Sequence, residues 1–493
     1  MTKYLFIVLA LVFNTTISRS QTQPEKPNTV IQNAGESLLT FSKLRHAAFS
    51  FYVKDLNSGA IVADVNGDMS IPSASTMKLV TTATALQLLG SGYRFKTSLM
   101  HSGEIDSSGT LNGDLYIIGG GDPTLGSRYF TKYGEERDFL YEWADTLKAR
   151  GIKRINGRVI ADGSLYGYQG MPSGWVWGDM GNYYGAGPAG LTIFDNLCTF
   201  HFETGEQEGD STILTCITPH VPGIHVKNYV TSANSSKDNA YVYGAPWSYD
   251  WFVQGSIPKQ KDDFEVKASM PDPELVAALE LDYALEQSGI DVAYSVTTMR
   301  ELTKDDPFEK PELTELYEHH SPYLSTIINV TNRRSINLFA EHILCQISVE
   351  RSGYGSTYNG AMICMGYWRD KIGATALNMT DGSGLSRSNS VSSKFLVDML
   401  SYMKRTKNYD RLETSMALAG KRGTMSGMCR GTSASGRVYG KSGTMTRIKS
   451  YAGYVHSTSG KLLAYSMIIN NHNCSNSQIR KYFEKLMVKM AVY

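Results

Sequence analysis

Pro72-Ser73-Ala74-Ser75-Thr76-Met77-Lys78-Leu79 is the stretch on which the reading of this chain turns. Leu79, Ala83, Leu86 and then Leu89 or Gly90 recur at helical spacing after Pro72, which predicts a helix beginning near Ser75 with an apolar stripe. Residues three apart at a helix start share a face, so the Ser75 hydroxyl and the Lys78 amine are expected to meet. Serine alone is a weak nucleophile and needs a base to take its proton. A lysine can serve when burial and a neighbouring positive charge lower its pKa.

Two further short signals follow in order. Ser335-Ile336-Asn337 is expected to open a second helix, its hydroxyl relaying a proton and its amide binding substrate or orienting Lys78. Lys441-Ser442-Gly443-Thr444 falls in a strand between Val438 and Met445. An edge strand there would pair with an extended peptide by backbone hydrogen bonds. Gly443, lacking a Cβ, would let substrate approach. Lys441 would supply positive charge, and the hydroxyls of Ser442 and Thr444 would hold a carboxylate. Each signal alone is weak, and the chain carries decoys: Ser401-Tyr402-Met403-Lys404, Ser232-Ala233-Asn234 and Lys421-Arg422-Gly423-Thr424. Context separates them, because Ser401 falls inside a helical pattern, whereas Lys441 sits on a strand followed by two more.

Working outward, residues 48–65 alternate around Asn57-Ser58-Gly59 and predict a β-hairpin. Between about 95 and 300 the pattern changes to many short strand-like runs rich in Gly and Tyr. Only two clear helices fall there, at 137–150 and 272–288, with 255–272 reading as a loop or linker. Gly119-Gly120-Gly121-Asp122 has no GK[ST] after it and predicts a tight turn after a strand rather than a phosphate cradle. An aromatic-rich stretch with Tyr166, Trp175, Trp177, Tyr183 and Tyr184 is explained by packing before stacking on sugars. Helices return at 335–350 and 393–405. Strands follow at 436–446, 450–457 and 461–470, then an amphipathic helix at 475–492. The expected organisation is an α/β (α+β) catalytic domain in two parts, 21–94 and 301–493, split by an inserted accessory region at 95–300.

The 493 residues carry 48 basic and 47 acidic side chains, a formal charge of +1, which offers no electrostatic footprint for nucleic acid. Lys3, the apolar run Tyr4–Phe13 and the small residues Ser18 and Ser20 read as a signal peptide over 1–20. No later stretch is long and apolar enough to span a membrane, so no transmembrane anchor is expected after cleavage. Export permits disulfides, and Cys198 with Cys216 could staple a hairpin, whereas Cys345 and Cys364 read as buried thiols. No CxxC spacing or His/Cys cluster points to a metal, and no cofactor is expected. His319 and His320 read as solvated loop residues.

The three motifs match the signature of serine β-lactamases and penicillin-binding proteins, with Ile336 in the middle of the second and Ser442 in the middle of the third as tolerated variants. With Gly119–Leu125, Ser335–Glu341 and Asp381–Arg387 added, the chain resembles the D-alanyl-D-alanine carboxypeptidase/endopeptidase family, the S13 peptidases. That family carries extra domains between its first two motifs, and here 260 positions separate Ser75 from Ser335. The resemblance implies a penicillin-binding transpeptidase-like fold split by a long, mostly β insertion. It also implies a serine peptidase acting in the periplasm on peptidoglycan peptides and acylated by β-lactams. In it Ser75 attacks the carbonyl of the penultimate D-Ala and Lys78 is the base. Ser335, tuned by Lys441, passes a proton to the leaving amine, and Asn337 contacts the substrate amide. The N–H groups of Ser75 and Thr444 form the oxyanion hole, Ser442 and Thr444 grip the terminal carboxylate, and water releases the acyl group. The alternatives are a β-lactamase or esterase on the same fold, or a non-catalytic cell-wall binding protein.

Overall fold

A computed structural model describes residues 28–305, 308–373 and 375–493; the expected signal segment, 1–20, lies outside them. A six-stranded antiparallel sheet is built from β1 (Ala48–Asp55), β2 (Ile61–Val65), β3 (Ala417–Leu418), β4 (Val438–Met445), β5 (Ile448–His456) and β6 (Leu462–Asn470). Its spatial order is β2-β1-β6-β5-β4-β3, so β1, from one end of the chain, pairs with β6 from the other. Every residue of β6 is buried, as expected of a strand covered on both faces. Leu462, Ala464 and Ile468 enter one hydrophobic core, and Leu463, Tyr465, Met467 and Ile469 enter another.

The first of those cores is filled by α1 (Lys78–Leu88), α2 (Leu324–Arg334), α3 (Asn337–Ser352) and α4 (Ser393–Lys404), and the second by α5 (Asn476–Ala491). The last helix starts where the sequence has Ser475 and Gln478. The serine hydroxyl accepts from the Gln478 N–H (3.3 Å), and the glutamine carbonyl accepts from the Ser475 N–H (3.1 Å), a capping box.

Residues 96–320 build further sheets around their own core, which holds Leu99, Ile117, Trp143, Phe200, Trp251 and Val276. Thr314–His320 pairs with Lys96–His101, so the hydrogen-bonded body that begins at Lys96 closes at His320, past position 300. His319 is therefore a strand residue, not a solvated loop residue. It packs against Trp143 and Phe139, and burial pushes its pKa down to about 4. The stretch 255–272 is not a linker either: Asp250–Pro258 and Phe264–Ser269 are strands, and Asp272 caps the helix Pro273–Gln287. In the second of these strands Glu265 and Lys267 lie on the exposed positions between Phe264, Val266 and Ala268. All six cysteines are free thiols. Cys198 and Cys216 lie on paired strands, but His201 is the residue opposite Cys216, so the expected staple is not formed. Cys198 instead points its thiol at the Ser269 carbonyl (3.4 Å). The decoy Ser401 donates to Val397 O within α4 (2.6 Å), and Lys404 covers the Tyr409 ring.

Candidate active site

Ser75 does not open an α-helix directly. It sits in a 3-10 turn, Ala74–Met77, which runs into α1 at Lys78. Ala74 is held at φ 47°, a left-handed conformation that costs an L-residue about 1–2 kcal/mol. The turn is clamped in place: Ser450 Oγ donates to Ser73 O (2.5 Å), as does Thr76 Oγ1 (2.9 Å). This elbow leaves Ser75 half-exposed at a cleft of about 300 Å³ while Lys78 is buried beneath it.

The Lys78 amine lies 3.0 Å from Ser75 Oγ, 2.6 Å from Asn337 Oδ1 and 2.8 Å from Ser383 O. The Asn337 amide is oriented by its other end, which donates to Tyr184 O (2.8 Å). Burial pulls the lysine pKa down to about 7, against the charges of Glu341 and Asp381. A neutral amine has two N–H bonds and one lone pair. Both carbonyl oxygens need a donor, so the lone pair is left facing the Ser75 hydroxyl.

Ser335 closes α2 rather than opening α3: it is the left-handed residue between them, with φ 63° and ψ 39°. Its hydroxyl accepts from Lys441 Nζ (2.8 Å), which also donates to Ser442 O (2.6 Å). Burial, then the positive charges of Lys78 and Lys449, hold the Lys441 amine well below the usual lysine range. The expected edge strand is half covered, since β3 pairs with Tyr439 and Gly440, leaving the outer side of Lys441–Met445 free. Thr444 is exposed on that lip with Lys449 Nζ 2.5 Å from its hydroxyl. Ser442 turns away, its hydroxyl donating to Thr424 Oγ1 (2.7 Å) in the segment that resembled a decoy.

Gly443 has a different role from the one expected. A Cβ there would stand 2.2 Å from Ser450 Oγ, 2.5 Å from Ser73 O and 3.0 Å from Ser75 N, so the glycine lets β4 close on the Ser75 turn. Gly443→Ala is expected to force the two apart and slow reaction at the Ser75 hydroxyl about 100-fold, the cost of misplacing reacting groups by ~1 Å. The second-order rate constant for covalent labelling of Ser75 checks this, and a rate near that of the wild type would mean the turn absorbs the methyl.

Over residues 31–491 the chain matches the D-Ala-D-Ala carboxypeptidase 3 (S13) family. The chain belongs to that family. It is 27% identical over 433 residues to the D-alanyl-D-alanine carboxypeptidase DacB of Haemophilus influenzae, covering 86% of this chain and 85% of that one. It is also 27% identical over 459 residues to a D-alanyl-D-alanine carboxypeptidase of Actinomadura sp., covering 89% and 80%. The crystal structure of penicillin binding protein 4 (dacB) from Haemophilus influenzae superimposes with a TM-score of 0.78 at 24% identity, covering 93% of this chain and 99% of that one. The S13 chain thus has the penicillin-binding protein 4 fold.

The S13 site also contains residues that the motifs did not reveal. Glu341, one helical turn after Asn337, accepts from the N–H groups of Gly382 (2.8 Å) and Ser383 (2.7 Å). Burial, then the charge of Asp381, pushes its carboxyl up, while these two N–H groups and Lys78 favour its charged form. Asp381 accepts from Gly384 N, Ser386 N, Asn389 Nδ2 and Trp175 Nε1 at 2.6–2.9 Å. Two buried carboxylates therefore fold the loop whose Ser383 carbonyl holds Lys78. The cleft itself is lined by Ser75, Ser335, Asn337 and Thr444, with Lys78, Lys441, Ser442 and Gly443 behind them. Gly384, Leu385, Met445 and Thr446 lie at its lip, and Asp179 and Tyr184 reach it from the body that starts at Lys96. Arg387 there pairs with Asp179 (3.2 Å). The sequence offered Ser335–Glu341 and Asp381–Arg387 only as segments of the resemblance, without the backbone amides that Glu341 and Asp381 hold.

Proposed function

We propose that the chain hydrolyses D-alanyl-D-alanine bonds of peptidoglycan peptides through an acyl-enzyme on Ser75, and that β-lactams acylate the same oxygen. The observation that carries the reading is the Lys78 amine, 3.0 Å from Ser75 Oγ with two carbonyls taking its N–H bonds. Lys78 takes the Ser75 proton as the oxygen bonds to the carbonyl carbon of the penultimate D-Ala. The N–H groups of Ser75 and Thr444 receive the developing oxyanion, a contribution of about 10²–10³ in rate. The C–N bond breaks as the Ser335 hydroxyl, held by Lys441, gives its proton to the leaving amine and is reprotonated from the lysines. Water, deprotonated by the same base, then attacks the ester and frees Ser75. Asn337 contacts the substrate amide. The lip hydroxyl of Thr444 with Lys449 beside it suits the terminal carboxylate, and Ser442 supports that lip from behind through Thr424.

On this reading residues 1–20 direct export and the enzyme works in the periplasm. Among the described residues no helix is long and apolar enough to cross a membrane. Residues 28–95 and 321–493 form the catalytic domain, and the body from Lys96 to His320 supplies the accessory domains.

A fluorescent penicillin should label the protein covalently, the modified peptide should contain Ser75, and D-Ala should be released from a pentapeptide. The acylation rate should rise with pH through about 7, because only neutral Lys78 acts as base. At pH 5, about one molecule in 100 holds the neutral amine, so the rate should be about 100-fold below its plateau. No label and no D-Ala release would end the catalytic reading. A rate flat from pH 5 to 8 would end the assignment of Lys78 as base.

A further inference from the structure

Beside the cleft lies a face that catalysis does not use. His225–Ala233, Asp250–Pro258 and Tyr241–Tyr243 form a three-stranded sheet with Asp250–Pro258 in the middle. Val226, Val230, Trp251, Val253 and Val242 point from it into a core or lie half-buried on the covered side. The other face carries Tyr229, Phe252, Tyr241 and Tyr243 toward solvent, since alternate residues of paired strands share a face. Tyr243 stacks on Phe252 with centroids 4.6 Å apart and planes at 6°, and Tyr229 meets Phe252 at 6.5 Å. Trp177 extends the row, 6.3 Å from Tyr243. Tyr229 is 62% exposed, Trp177 50% and Tyr241 49%, too much aromatic surface in one place for packing alone.

We infer that this aromatic face binds the glycan strand of peptidoglycan while the cleft works on an attached peptide, an inference that rests on the function proposed above. The face is joined to the cleft. Trp177 opens the short helix in which Asp179 lines the cleft. The buried Asn182 side chain accepts from Val242 N (3.1 Å) and donates to Val242 O (3.3 Å), tying Tyr241–Tyr243 to the segment whose Tyr184 carbonyl receives Asn337. Platform and catalytic asparagine are thus held by consecutive rigid contacts. Flat, half-exposed rings suit the C–H faces of neutral pyranose units, and each tyrosine keeps a hydroxyl for the sugar's polar groups. Lys227, Gln254 and Asp250 share the face and offer donors and an acceptor for hydroxyl and acetamide groups. One lysine beside one aspartate gives no net field for a polyanion, which a nucleic-acid platform would need.

The test uses wild type, the triple variant Trp177→Ala/Tyr229→Ala/Tyr241→Ala, and the exposed single variant Tyr229→Ala in case the triple variant misfolds. Binding is measured by cosedimentation with intact sacculi and with glycan strands stripped of peptide. The triple variant should bind both about tenfold to 100-fold more weakly, and Tyr229→Ala should bind measurably more weakly, whereas fluorescent-penicillin acylation of each stays at the wild-type rate. Absence of wild-type binding to stripped glycan, full binding by folded variants, or binding of single-stranded RNA in its place would overturn the inference. Glycan binding by a wild type that penicillin never labels would instead count against the catalytic reading alone.

Discussion

Ser75→Ala and Lys78→Met are each expected to remove on the order of 10⁶ from the rate of D-Ala release, and the double variant no more than either alone. The reason is geometric. Ser75 Oγ has Lys78 Nζ 3.0 Å away, and Asn337 and Ser383 fix the direction of the amine's lone pair. A serine without that base and a base without that serine are equally idle, so their effects do not add. Methionine matches the lysine stem in length and leaves two carbonyls without a donor, at about 1–3 kcal/mol each if water does not replace it. It also removes the cost of burying an amine, so the fold should survive. D-Ala release from a pentapeptide by the two single variants and the double variant decides the matter. A double variant slower than both singles by another large factor would mean that the two residues act separately.

Glu341→Ala is expected to cost about 2–6 kcal/mol of stability, the sum of two buried amides left without an acceptor at about 1–3 kcal/mol each. Gly382 N and Ser383 N both end on this carboxyl, at 2.8 and 2.7 Å. Glu341→Gln should rescue only in part, because its amide presents one oxygen and one NH₂ to two N–H donors. Acylation should fall with stability, since the loop freed by the change carries the Ser383 carbonyl that orients Lys78. Thermal unfolding together with the penicillin acylation rate checks both halves. An unaltered melting temperature with slowed acylation would place Glu341 in the chemistry rather than in the support of the loop.

The parts of the site that could be read from the sequence were those where partners are close in the chain. Ser75 and Lys78 meet because they are three residues apart at a turn, and β4, β5 and β6 announce themselves by apolar runs. Glu341 and Asp381 could not be read that way. A buried carboxylate looks the same as a surface one until the backbone amides it serves are brought from 41 and 42 residues away. Ser335 gave no warning of its left-handed conformation, which α2 and α3 impose from either side. The strand Phe264–Ser269 was legible in its alternation, but the charged residues between its apolar positions made it read as a linker. Thr424 passed for a decoy because only the pairing of β3 with β4 brings that segment to Ser442.

The pairing of β1 with β6 has a consequence for how the molecule is made. Some 400 residues separate Asp55 from Leu462. At the usual ~5–20 residues per second, β1 emerges about 20–80 s before its central partner exists. Until then a strand carrying Phe49, Phe51 and Val53 has an open edge toward that partner, a template for wrong pairing. Ser75 likewise waits for Asn337 and Lys441, so no product of the ribosome that ends before Lys441 contains the assembled site. The body from Lys96 to His320, whose contacts are nearer in sequence, is free to fold in the interval. The catalytic half should be the late and slow step, as long-range sheet pairing generally is.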